Sequence, residues 1–349
     1  MTPDLVHPPK ARPGDRIAVL SPSFAAPGVF PAVHEQAMRR LAETTGLIPV
    51  EFPTTRWVGA PPEARAADID AAFADPGIRA IIAVAGGHDQ ITVIPHLDPA
   101  LARADPKPFV GTSDNTNLHQ WLWGHGIASF YGGSTQVHLG PGPAVDDVHA
   151  RALRAALLTG GRLEVTDPGE SEDVGLDWGD PRALEQYGER EPTEPWTWAG
   201  PARAVTGRTW GGCLEVLEWV LTAGRFPDDP AALDGAVLLI ETSQELLPAR
   251  NVGWIVRSLG ERGLLGAVQA VLVGRPPVSG LDRRPDAAER ARLRAEQRDV
   301  VLATVERYNP GAIVCAGVPF GHTRPQWILP HGGTITVDGA ARRILADYS

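Results

Sequence analysis

Short apolar runs alternate with segments of helical spacing over the first 125 residues of the chain. The apolar runs, each of which ends at a polar or glycine-containing turn, cover residues 16–20, 47–52, 78–84 and 108–111. The segments whose apolar side chains recur at helical spacing cover residues 31–45, 63–74 and 114–123. Strands that alternate with helices predict a parallel sheet with helices on both faces. In such a sheet, ligands bind beyond the carboxyl ends of the strands.

The alternation is interrupted between residues 167 and 201, where Asp, Glu, Gly and Pro dominate without a usable period. This stretch includes four aromatic side chains, namely Trp178, Tyr187, Trp196 and Trp198. Loops of this length inside a compact protein are usually functional or disordered, and four aromatic residues argue against disorder. We therefore predict three parts: an N-terminal domain at residues 1–166, an aromatic linker or substrate loop at 167–202, and a C-terminal domain at 203–349.

The second unit repeats the alternation. Its apolar runs predict strands at residues 236–241, 267–274 and 312–317. Its helical spacing predicts helices that end at residue 221 and that cover residues 251–261 and 286–307, the last being charged enough to read as a solvated face. A terminal hairpin is predicted around Asp338-Gly339. The fold class is therefore α/β, with an N-terminal parallel-sheet domain and a smaller, strand-rich C-terminal α/β domain.

The composition is that of a globular protein with an acidic balance. Hydrophobic residues make up 43% of the 349 positions, which is enough to form a core and excludes wholesale disorder. Asp and Glu outnumber Lys and Arg by 42 to 32, which gives a formal net charge of -10. Such a chain repels phosphate backbones and anionic lipid head groups on average, so we expect neither nucleic acid nor a membrane as a partner.

Several kinds of chemistry are disfavoured by what the sequence lacks. Lys10 and Lys107 are the only lysines, and neither lies in a motif for Schiff-base or P-loop chemistry. Cys213 and Cys315 form no cluster and the histidines do not pair at ligand spacing, so we expect no disulfide framework, no metal and no cofactor. The N-terminal residues carry no apolar run of signal-peptide length, and a cytoplasmic enzyme is the expectation.

Ser113 is the first candidate for a chemical role. It follows the apolar run 108–111 on a Gly-Thr turn and opens a helix, which raises its side chain above the sheet beside backbone N–H groups. An acyl-transfer nucleophile needs both features. The alternative is that Ser113 or Asp114 only caps the helix, and a Gly-x-Ser sequence alone leaves that alternative open.

A serine nucleophile needs a base, and the base needs an acceptor that orients it. His322 lies in a loop just beyond an apolar run, and His331, in Leu-Pro-His-Gly-Gly, is the competing candidate. For the acceptor, Glu241 ends the run 236–241, and a carboxylate that emerges from a buried strand is costly unless it is paired. A structural salt bridge from Glu241 to an arginine is the alternative.

Gly86 and Gly87 supply a second device after the predicted strand 78–84. Two adjacent glycines let the backbone approach a ligand closely and present an N–H group as half of an oxyanion hole. They are not part of a Gly-x-Gly-x-x-Gly pattern, so a dinucleotide site is not supported.

These motifs occur together, and in the same order, in a known family. The segments that carry the likeness are Gly14-Asp15-Arg16-Ile-Ala-Val-Leu-Ser-Pro-Ser, Gly86-Gly87, Gly111-Thr-Ser113-Asp114, Gly211-Gly212-Cys-Leu, Leu238-Leu-Ile-Glu241-Thr-Ser, Val271-Leu-Val-Gly274-Arg and Gly317-Val-Pro-Phe-Gly-His322. From Gly14 to the C-terminus, the chain resembles the LD-carboxypeptidase family of serine peptidases, and within it the branch that contains the microcin C immunity protein. The resemblance implies a C-terminal domain that supplies Glu and His, and a homodimer.

The resemblance also implies which residues form the site. The Ser-Glu-His triad of the family falls on Ser113, Glu241 and His322. Its oxyanion hole falls on the backbone N–H groups of Gly87 and Asp114. In such a triad the serine attacks, the histidine takes its proton, and the carboxylate fixes the imidazole tautomer before water releases the acyl-enzyme.

Two substrate classes are found in the family. One branch releases terminal D-alanine from muropeptide tetrapeptides, and the immunity branch cleaves an aminoacyl group from a nucleotide-like moiety. The aromatic segment favours the second class, because the family places a base-stacking tryptophan there. Trp178 is our candidate for it, with Trp196 and Trp198 as rivals. The alternative is that these tryptophans only anchor the loop or contact a second subunit.

We assign substrate contacts to five residues, namely Gly86, His88, Trp178, Gly212 and Glu245. At Glu245 the chain departs from the immunity protein, which has a basic residue a few positions after the triad glutamate. An acidic side chain there predicts a substrate head with a free amine. We therefore predict a serine carboxypeptidase or amidohydrolase that acts on aminoacyl-nucleotide-type, microcin C-like compounds, with muropeptide trimming in cell-wall recycling as the alternative. The intact triad disfavours a catalytically silent binding protein.

Overall fold

The computed structural model describes residues 5–225 and 229–349 of the chain. Its strands are β1 (Arg16–Leu20), β2 (Ile48–Glu51), β3 (Ile78–Ala83), β4 (Phe109–Gly111), β5 (Ser129–Tyr131), β6 (Arg162–Val165), β7 (Glu170–Ser171), β8 (Glu191–Pro192), β9 (Thr197–Ala199), β10 (Ala204–Cys213), β11 (Val237–Glu241), β12 (Ala270–Gly274), β13 (Ile313–Val318), β14 (Leu329–His331), β15 (Thr334–Asp338) and β16 (Arg343–Asp347). Its α-helices are α1 (Ala26–Val29), α2 (Pro31–Thr45), α3 (Pro62–Ala74), α4 (Pro99–Ala104), α5 (Thr116–Gly124), α6 (Asp147–Arg154), α7 (Leu214–Thr222), α8 (Ala249–Glu261), α9 (Leu264–Ala267) and α10 (Ala287–Tyr308). Within the described part of the chain, none of these helices has the length and apolarity needed to span a bilayer.

The first sheet has the strand order β14-β5-β4-β3-β1-β2. Strands β1 to β5 pair in parallel, and β14 closes one edge in the antiparallel direction. Alternate residues of β1 face opposite sides: Ile17 packs in the same apolar cluster as α2, and Ala18 packs in the cluster of α3. The predicted parallel sheet with helices on both faces is therefore confirmed, and burial on both faces explains why its strands read as continuous apolar runs.

The second sheet has the strand order β6-β16-β15-β10-β11-β12-β13-β9. Strands β10 to β13 are parallel, and antiparallel strands flank them on both sides. The predicted terminal hairpin is present as the β15–β16 pair. A single apolar cluster includes Ile17 of the first sheet and Leu239 of the second, so the two sheets share one core. The predicted mixed α/β class with two sheet-bearing parts is confirmed.

The segment after residue 166, predicted as a long aromatic loop, contains short strands that the sequence did not indicate. Strands β7 and β8 pair with each other, and β9 joins the edge of the second sheet beside β13. A 3-10 turn covers Pro181–Leu184. The strands are only two or three residues long, which is too short for a period of two to show in the sequence.

Helix α10 also differs from its prediction as a solvated face. It buries Arg294, Gln297, Val301 and Val305 against the rest of the molecule. Its charged positions dominate the sequence pattern because the buried stripe itself contains an arginine. The apolar signal is therefore weak although the helix is packed.

The two sheets also exchange strands along the chain. Strand β6 precedes residue 167 and lies in the second sheet, whereas β14 lies at the edge of the first. The division at residues 166 and 203 stays a prediction about folding units. For the site, the important result is that β4, β11 and β13 lead into three loops that carry polar residues, at Ser113, Thr242 and His322.

Candidate active site

Ser113 occupies a strained turn between β4 and α5. Its backbone φ is 63°, one of three positive values at non-glycine residues in the described chain. A side chain in this left-handed region costs free energy, and such strain is typical of a serine held at a sharp strand-to-helix turn. Gly86 is what permits this position, because a Cβ on Gly86 would lie 2.8 Å from the Ser113 Oγ. The alternative of a plain helix cap is not observed, because the Ser113 side chain makes no capping hydrogen bond among the described residues.

Asp114 anchors the same turn to the neighbouring loops. Its carboxylate accepts hydrogen bonds from Ser23 Oγ at 2.6 Å, from the Gln90 N–H at 2.9 Å and from Asn117 Nδ2 at 2.9 Å. Burial raises the pKa of Asp114 above its usual value, against the lowering effect of these hydrogen bonds. The side chain of Asp114 is therefore a structural anchor, while its backbone N–H lies beside Gly86, 3.3 Å from where a Cβ would be.

Glu241 and His322 form a buried hydrogen-bonded pair. The distance from His322 Nδ1 to Glu241 Oε2 is 2.6 Å, and the glutamate side chain is 1% exposed. Gly321 allows this approach, since a Cβ there would lie 2.6 Å from the same carboxylate oxygen. Burial favours neutral imidazole, but the charge of Glu241 and its hydrogen bond outweigh burial and raise the pKa of His322 above its usual value. The pairing leaves Nε2 as the nitrogen for a reacting group.

Tyr131, at the end of β5, completes a chain of hydrogen bonds between the two sheets. Its hydroxyl donates to Glu241 Oε1 at 2.5 Å and accepts the Ser113 N–H at 3.2 Å. The predicted alternative for Glu241, a structural salt bridge to an arginine, is not observed among the described residues. The two oxygens of the Glu241 carboxylate are instead hydrogen-bonded to the Tyr131 phenol and to the His322 imidazole.

Ser113 and His322 line one cleft with a volume of about 1080 Å³. The other predicted residues on its wall are Gly86, Gly87, His88, Trp178 and Glu245. Gly212 is not on this wall, because its Cα faces Thr116 and the Tyr131 ring, where a Cβ would lie 2.6 Å from Thr116 Oγ1. Its role is to bring β10 against α5, and the adjacent Cys213 reaches the cleft.

The oxyanion-hole candidates are the backbone N–H groups of Gly87 and Asp114. Within the described part of the chain, neither group donates a backbone hydrogen bond. A Cβ on Gly87 would lie 2.0 Å from Ser23 Oγ, so only glycine allows the loop to reach this position. The N–H of Ser113 itself is engaged by Tyr131.

The competing base His331 lies elsewhere. It is fully buried in β14, with its ring 5.3 Å from the ring of His119. Burial and His119 hold the pKa of His331 well below its usual value. It does not line the cleft, and the geometry therefore favours His322.

Of the three candidate tryptophans, one lines the cleft and two lie away from it. Trp178 lines the cleft and contacts Phe30 edge to face, with ring centroids 5.6 Å apart. Trp196 and Trp198 pack against the shared core and each other, away from the cleft wall. Trp178 is thus anchored on one side and open to the cleft on the other.

Sequence reasoning missed several residues of the cleft wall, namely Phe24, His138, Glu215, Glu218 and Trp219. Glu215 is 7% exposed and accepts hydrogen bonds from the N–H and hydroxyl of Ser243, at 2.9 and 2.7 Å. These residues lie in helices or turns whose patterns look ordinary, so only the tertiary fold brings them to the site. In the part of the chain that the structure describes, no set of three acidic, His or Cys side chains is arranged to hold a metal ion.

Comparisons with known proteins identify the family to which the chain belongs. The profile of the LD-carboxypeptidase N-terminal domain matches residues 17–132, and that of the LD-carboxypeptidase C-terminal domain matches residues 206–337. A Vibrio cholerae protein named as a carboxypeptidase is 26% identical over 93% of this chain and 92% of its own length. The microcin C7 self-immunity protein MccF of Escherichia coli is 24% identical over 78% of this chain and 75% of its own length.

Solved structures show the same fold. MccF in complex with glutamyl sulfamoyl guanosine superposes with a TM-score of 0.83 at 21% identity, covering 99% of this chain and 98% of that one. An MccF-like protein of Streptococcus pneumoniae in complex with AMP has a TM-score of 0.80 at 24% identity, covering 96% and 99%. With both domain profiles matched in order across the chain, this protein belongs to the LD-carboxypeptidase family and is a serine hydrolase of that family.

Proposed function

We propose that this enzyme cleaves the bond between an aminoacyl group and a nucleotide-like moiety, through Ser113, His322 and Glu241. The observation that carries the proposal is the strained Ser113 in the same cleft as a histidine whose other nitrogen is fixed by a buried carboxylate. A nucleophile, a base and an orienting acceptor are the minimum set for acyl transfer.

The proposed reaction has two stages. Ser113 Oγ attacks the acyl carbon while His322 Nε2 takes its proton, and the oxyanion is stabilised by the N–H groups of Gly87 and Asp114. His322 then gives that proton to the leaving nitrogen, which departs and leaves an ester on Ser113. Water, deprotonated by the same histidine, attacks the ester and releases the free acid.

The cleft wall favours a nucleotide-like leaving group. Trp178 offers an aromatic face on the cleft, and Trp219 lies on the same wall. Stacking of a base on an aromatic side chain contributes about 1–3 kcal/mol. MccF, which shares this fold, has been solved with glutamyl sulfamoyl guanosine and with aspartyl sulfamoyl adenosine.

Release of D-alanine from muropeptides is the second candidate, and the charges of the cleft disfavour it. A carboxypeptidase must bind a terminal carboxylate, for which arginine is the usual partner. Among the described residues, Arg65 is the one arginine on the cleft wall, and both its terminal nitrogens are already bound to the Asp89 carboxylate at 2.8 Å. The wall otherwise carries the carboxylates of Glu215, Glu218 and Glu245.

These carboxylates support a substrate whose acyl part carries an amine. Glu245 is exposed at the cleft, 4.0 Å from His88 Nε2. A carboxylate at this position attracts an ammonium group and repels an acidic side chain. We propose that lysyl conjugates are cleaved in preference to glutamyl conjugates, and that Glu245→Lys reverses this order.

The test is turnover measured by mass spectrometry. Wild type and Ser113→Ala are compared on lysyl- and glutamyl-sulfamoyl adenosine and on an L,D-tetrapeptide. Cleavage of the nucleotide conjugates by wild type only is the expected result. Release of D-alanine without cleavage of either conjugate would move the enzyme to cell-wall recycling.

The same assay tests the role of Trp178. Replacement by alanine should raise KM for the nucleotide conjugates by about 5- to 100-fold with little change in kcat, as the loss of base stacking requires. Trp254→Ala, at an exposed tryptophan on α8, is the matched control. An equal effect of Trp178→Ala on the tetrapeptide would mean that Trp178 only anchors its segment.

We also propose a cytoplasmic homodimer, on the strength of the family resemblance. Light scattering of the purified protein measures the assembly directly, with about twice the 37.2 kDa chain mass as the expected value. A mass equal to one chain would overturn it.

A further inference from the structure

Tyr131 lies between the nucleophile and the triad carboxylate. It ends β5, the parallel strand next to β4, and its side chain is fully buried. Its ring packs 5.4 Å from the ring of His119 and closes against the bare Cα of Gly212. The phenol therefore has one orientation, with its hydroxyl directed at the junction of the two sheets.

The Tyr131 hydroxyl accepts one hydrogen bond and donates another. The Ser113 N–H donates to the phenol oxygen at 3.2 Å, and the phenol O–H donates to Glu241 Oε1 at 2.5 Å. Burial and the neighbouring Glu241 charge hold the pKa of Tyr131 well above its usual value, so the phenol stays protonated and remains a donor. The connection runs from the serine backbone through Tyr131 and Glu241 to His322.

We propose that Tyr131 is a positioning residue that sets the geometry of both ends of the Ser113–His322 pair at once. It fixes Glu241 Oε1, so that Oε2 points at His322 Nδ1 in one direction. It also holds the strained backbone of Ser113, whose φ of 63° needs support from its surroundings. This role rests on the proposed function, because it acts on the same reacting groups without touching substrate.

A consequence concerns the oxyanion hole. Because Tyr131 engages the Ser113 N–H, that group is withdrawn from the substrate side. The N–H groups of Gly87, in the loop after β3, and of Asp114, at the turn, are left for the developing negative charge. Tyr131 thereby determines which backbone amides stabilise the transition state.

The first test is Tyr131→Phe, which removes the hydroxyl and keeps the ring. We expect kcat to fall about 10- to 100-fold with KM nearly unchanged, as loss of pre-organisation at the reacting groups requires. Glu241 then loses a donor, its charge acts more fully on His322, and the acid limb of the kcat/KM profile moves to higher pH by about half a unit or more.

Tyr348→Phe is the matched control. Tyr348 is equally buried, and its hydroxyl donates one hydrogen bond of 2.6 Å to the Ile328 carbonyl, away from the cleft. It should lower the melting temperature without changing kcat or the pH profile. If Tyr131→Phe behaves like Tyr348→Phe, with an unchanged acid limb, its role is only structural and the proposal is overturned.

Two further measurements keep the test decisive. In a Glu241→Gln background, adding Tyr131→Phe should move the acid limb no further, because that shift acts through the Glu241 charge, while kcat should still fall through the lost support of Ser113. If Tyr131→Phe does not fold, 3,5-difluorotyrosine at position 131 keeps the shape, donates more strongly, and should move the acid limb to lower pH. An unmoved limb overturns the proposal. Absence of any Ser113-dependent hydrolysis by wild type would instead overturn the proposed function.

Discussion

Ser113 combines two features that rarely meet in a side chain without a chemical role. It holds a positive φ, and its side chain faces a glycine that could not carry a Cβ. Strain of this kind persists only where the surroundings enforce it. At Ser113 the enforcing groups are the Asp114 carboxylate, with its three hydrogen bonds, and the Tyr131 hydroxyl.

The first prediction for individual residues concerns Ser113 as the nucleophile and His322 as the base. Ser113→Ala and His322→Ala should each lower turnover by at least about 10⁴-fold, because the members of such a triad act as a unit. Thermal unfolding should stay close to wild type for Ser113→Ala, whereas His322→Ala removes a partner of the buried Glu241 carboxylate and should unfold at a lower temperature. His331→Gln should keep most of the turnover, since that histidine lies away from the cleft. An inactive His331 variant beside an active His322 variant would show that the base is misassigned.

Glu241→Ala should be slow and also less stable. The substitution removes the acceptor of both His322 and Tyr131 and leaves two buried polar groups without it. Leaving a buried donor unsatisfied costs about 1–3 kcal/mol. Urea unfolding beside the kinetic assay separates the two effects, and a variant as active as wild type would remove Glu241 from the mechanism.

The pH profile follows from the raised pKa of His322. The base works only as neutral imidazole, so activity falls as the pH drops through that pKa. Because the pKa lies above the usual 6.5, the acid limb of kcat/KM should have its midpoint above pH 6.5. In Glu241→Gln the attracting charge is gone and the midpoint should move to lower pH. An acid limb well below 6.5 in wild type would contradict the His322 assignment.

Residues of the site divide into those that the sequence could reveal and those that it could not. Ser113, Glu241 and His322 stand at strand ends within motifs that resemble a family, so their positions were predictable. Tyr131 and Glu215 carry no such signal, since one ends a three-residue strand and the other opens an ordinary apolar helix. Their significance comes from contacts between segments that are about 110 and 28 residues apart in the chain.

At the scale of elements, the segment of residues 167–202 is fastened by a buried ionic cluster. Asp173 is bound by Arg275 at 2.8 Å and by Arg294 of α10 at 2.9 Å. Its second oxygen accepts the N–H groups of Val278 and Ser279. The segment that carries Trp178 is therefore held to the second sheet without a ligand, which its irregular sequence did not indicate.

Asp173→Ala should destabilise the protein by about 1–3 kcal/mol, because it removes the acceptor of two buried N–H groups and the most buried partner of two arginines, which keep Glu191 and Glu194. It should also raise KM for nucleotide conjugates, since Trp178 belongs to the same segment. Glu170→Ala is the control, as its pair with Arg190 lies at the surface with the Glu170 side chain 56% exposed and is expected to contribute less than about 1 kcal/mol. Equal effects of the two substitutions, measured by urea unfolding, would show that the cluster does not fasten the segment.

At the scale of the whole molecule, five histidines of the described chain are buried: His34, His119, His138, His149 and His331. Burial lowers the pKa of His119 and of His149 to about 4. The unfolded chain binds protons at these residues from pH 6.5 downwards, whereas the native state does not until about pH 4. The native state therefore loses stability as the pH falls through this window.

As the pH is lowered from 6.5 to 4, His119 and His149 should each lower the free energy of unfolding by about 3 kcal/mol. Urea unfolding at a series of pH values measures this slope. His149→Gln should flatten the slope, whereas His96→Gln, at a side chain 39% exposed, should leave it nearly unchanged. A free energy of unfolding that rises as the pH is lowered below 6.5 would contradict this account of the core.

The strands that are long and buried were predictable from the sequence. Strands that are short, or that pair with a strand far away in the sequence, were less so. The parallel strands β1, β3, β11 and β12 appear as apolar runs in the sequence. The antiparallel edge strand β14 joins the first sheet from nearly 200 residues away in the chain, so only the three-dimensional structure shows it. The cleft arises where these two sheets meet, and it needs both of them.

In the proposed reaction, Ser113 carries the acyl group of an aminoacyl-nucleotide-type substrate. The most direct test of this step is rapid acid quenching of wild type during turnover of lysyl-sulfamoyl adenosine, followed by mass spectrometry of the intact protein and its peptides. We expect a mass increase of one lysyl group on the peptide that contains Ser113, and no adduct in Ser113→Ala. Turnover with the adduct on another residue, or D-alanine release from a tetrapeptide with no reaction of the conjugate, would contradict the proposed reaction.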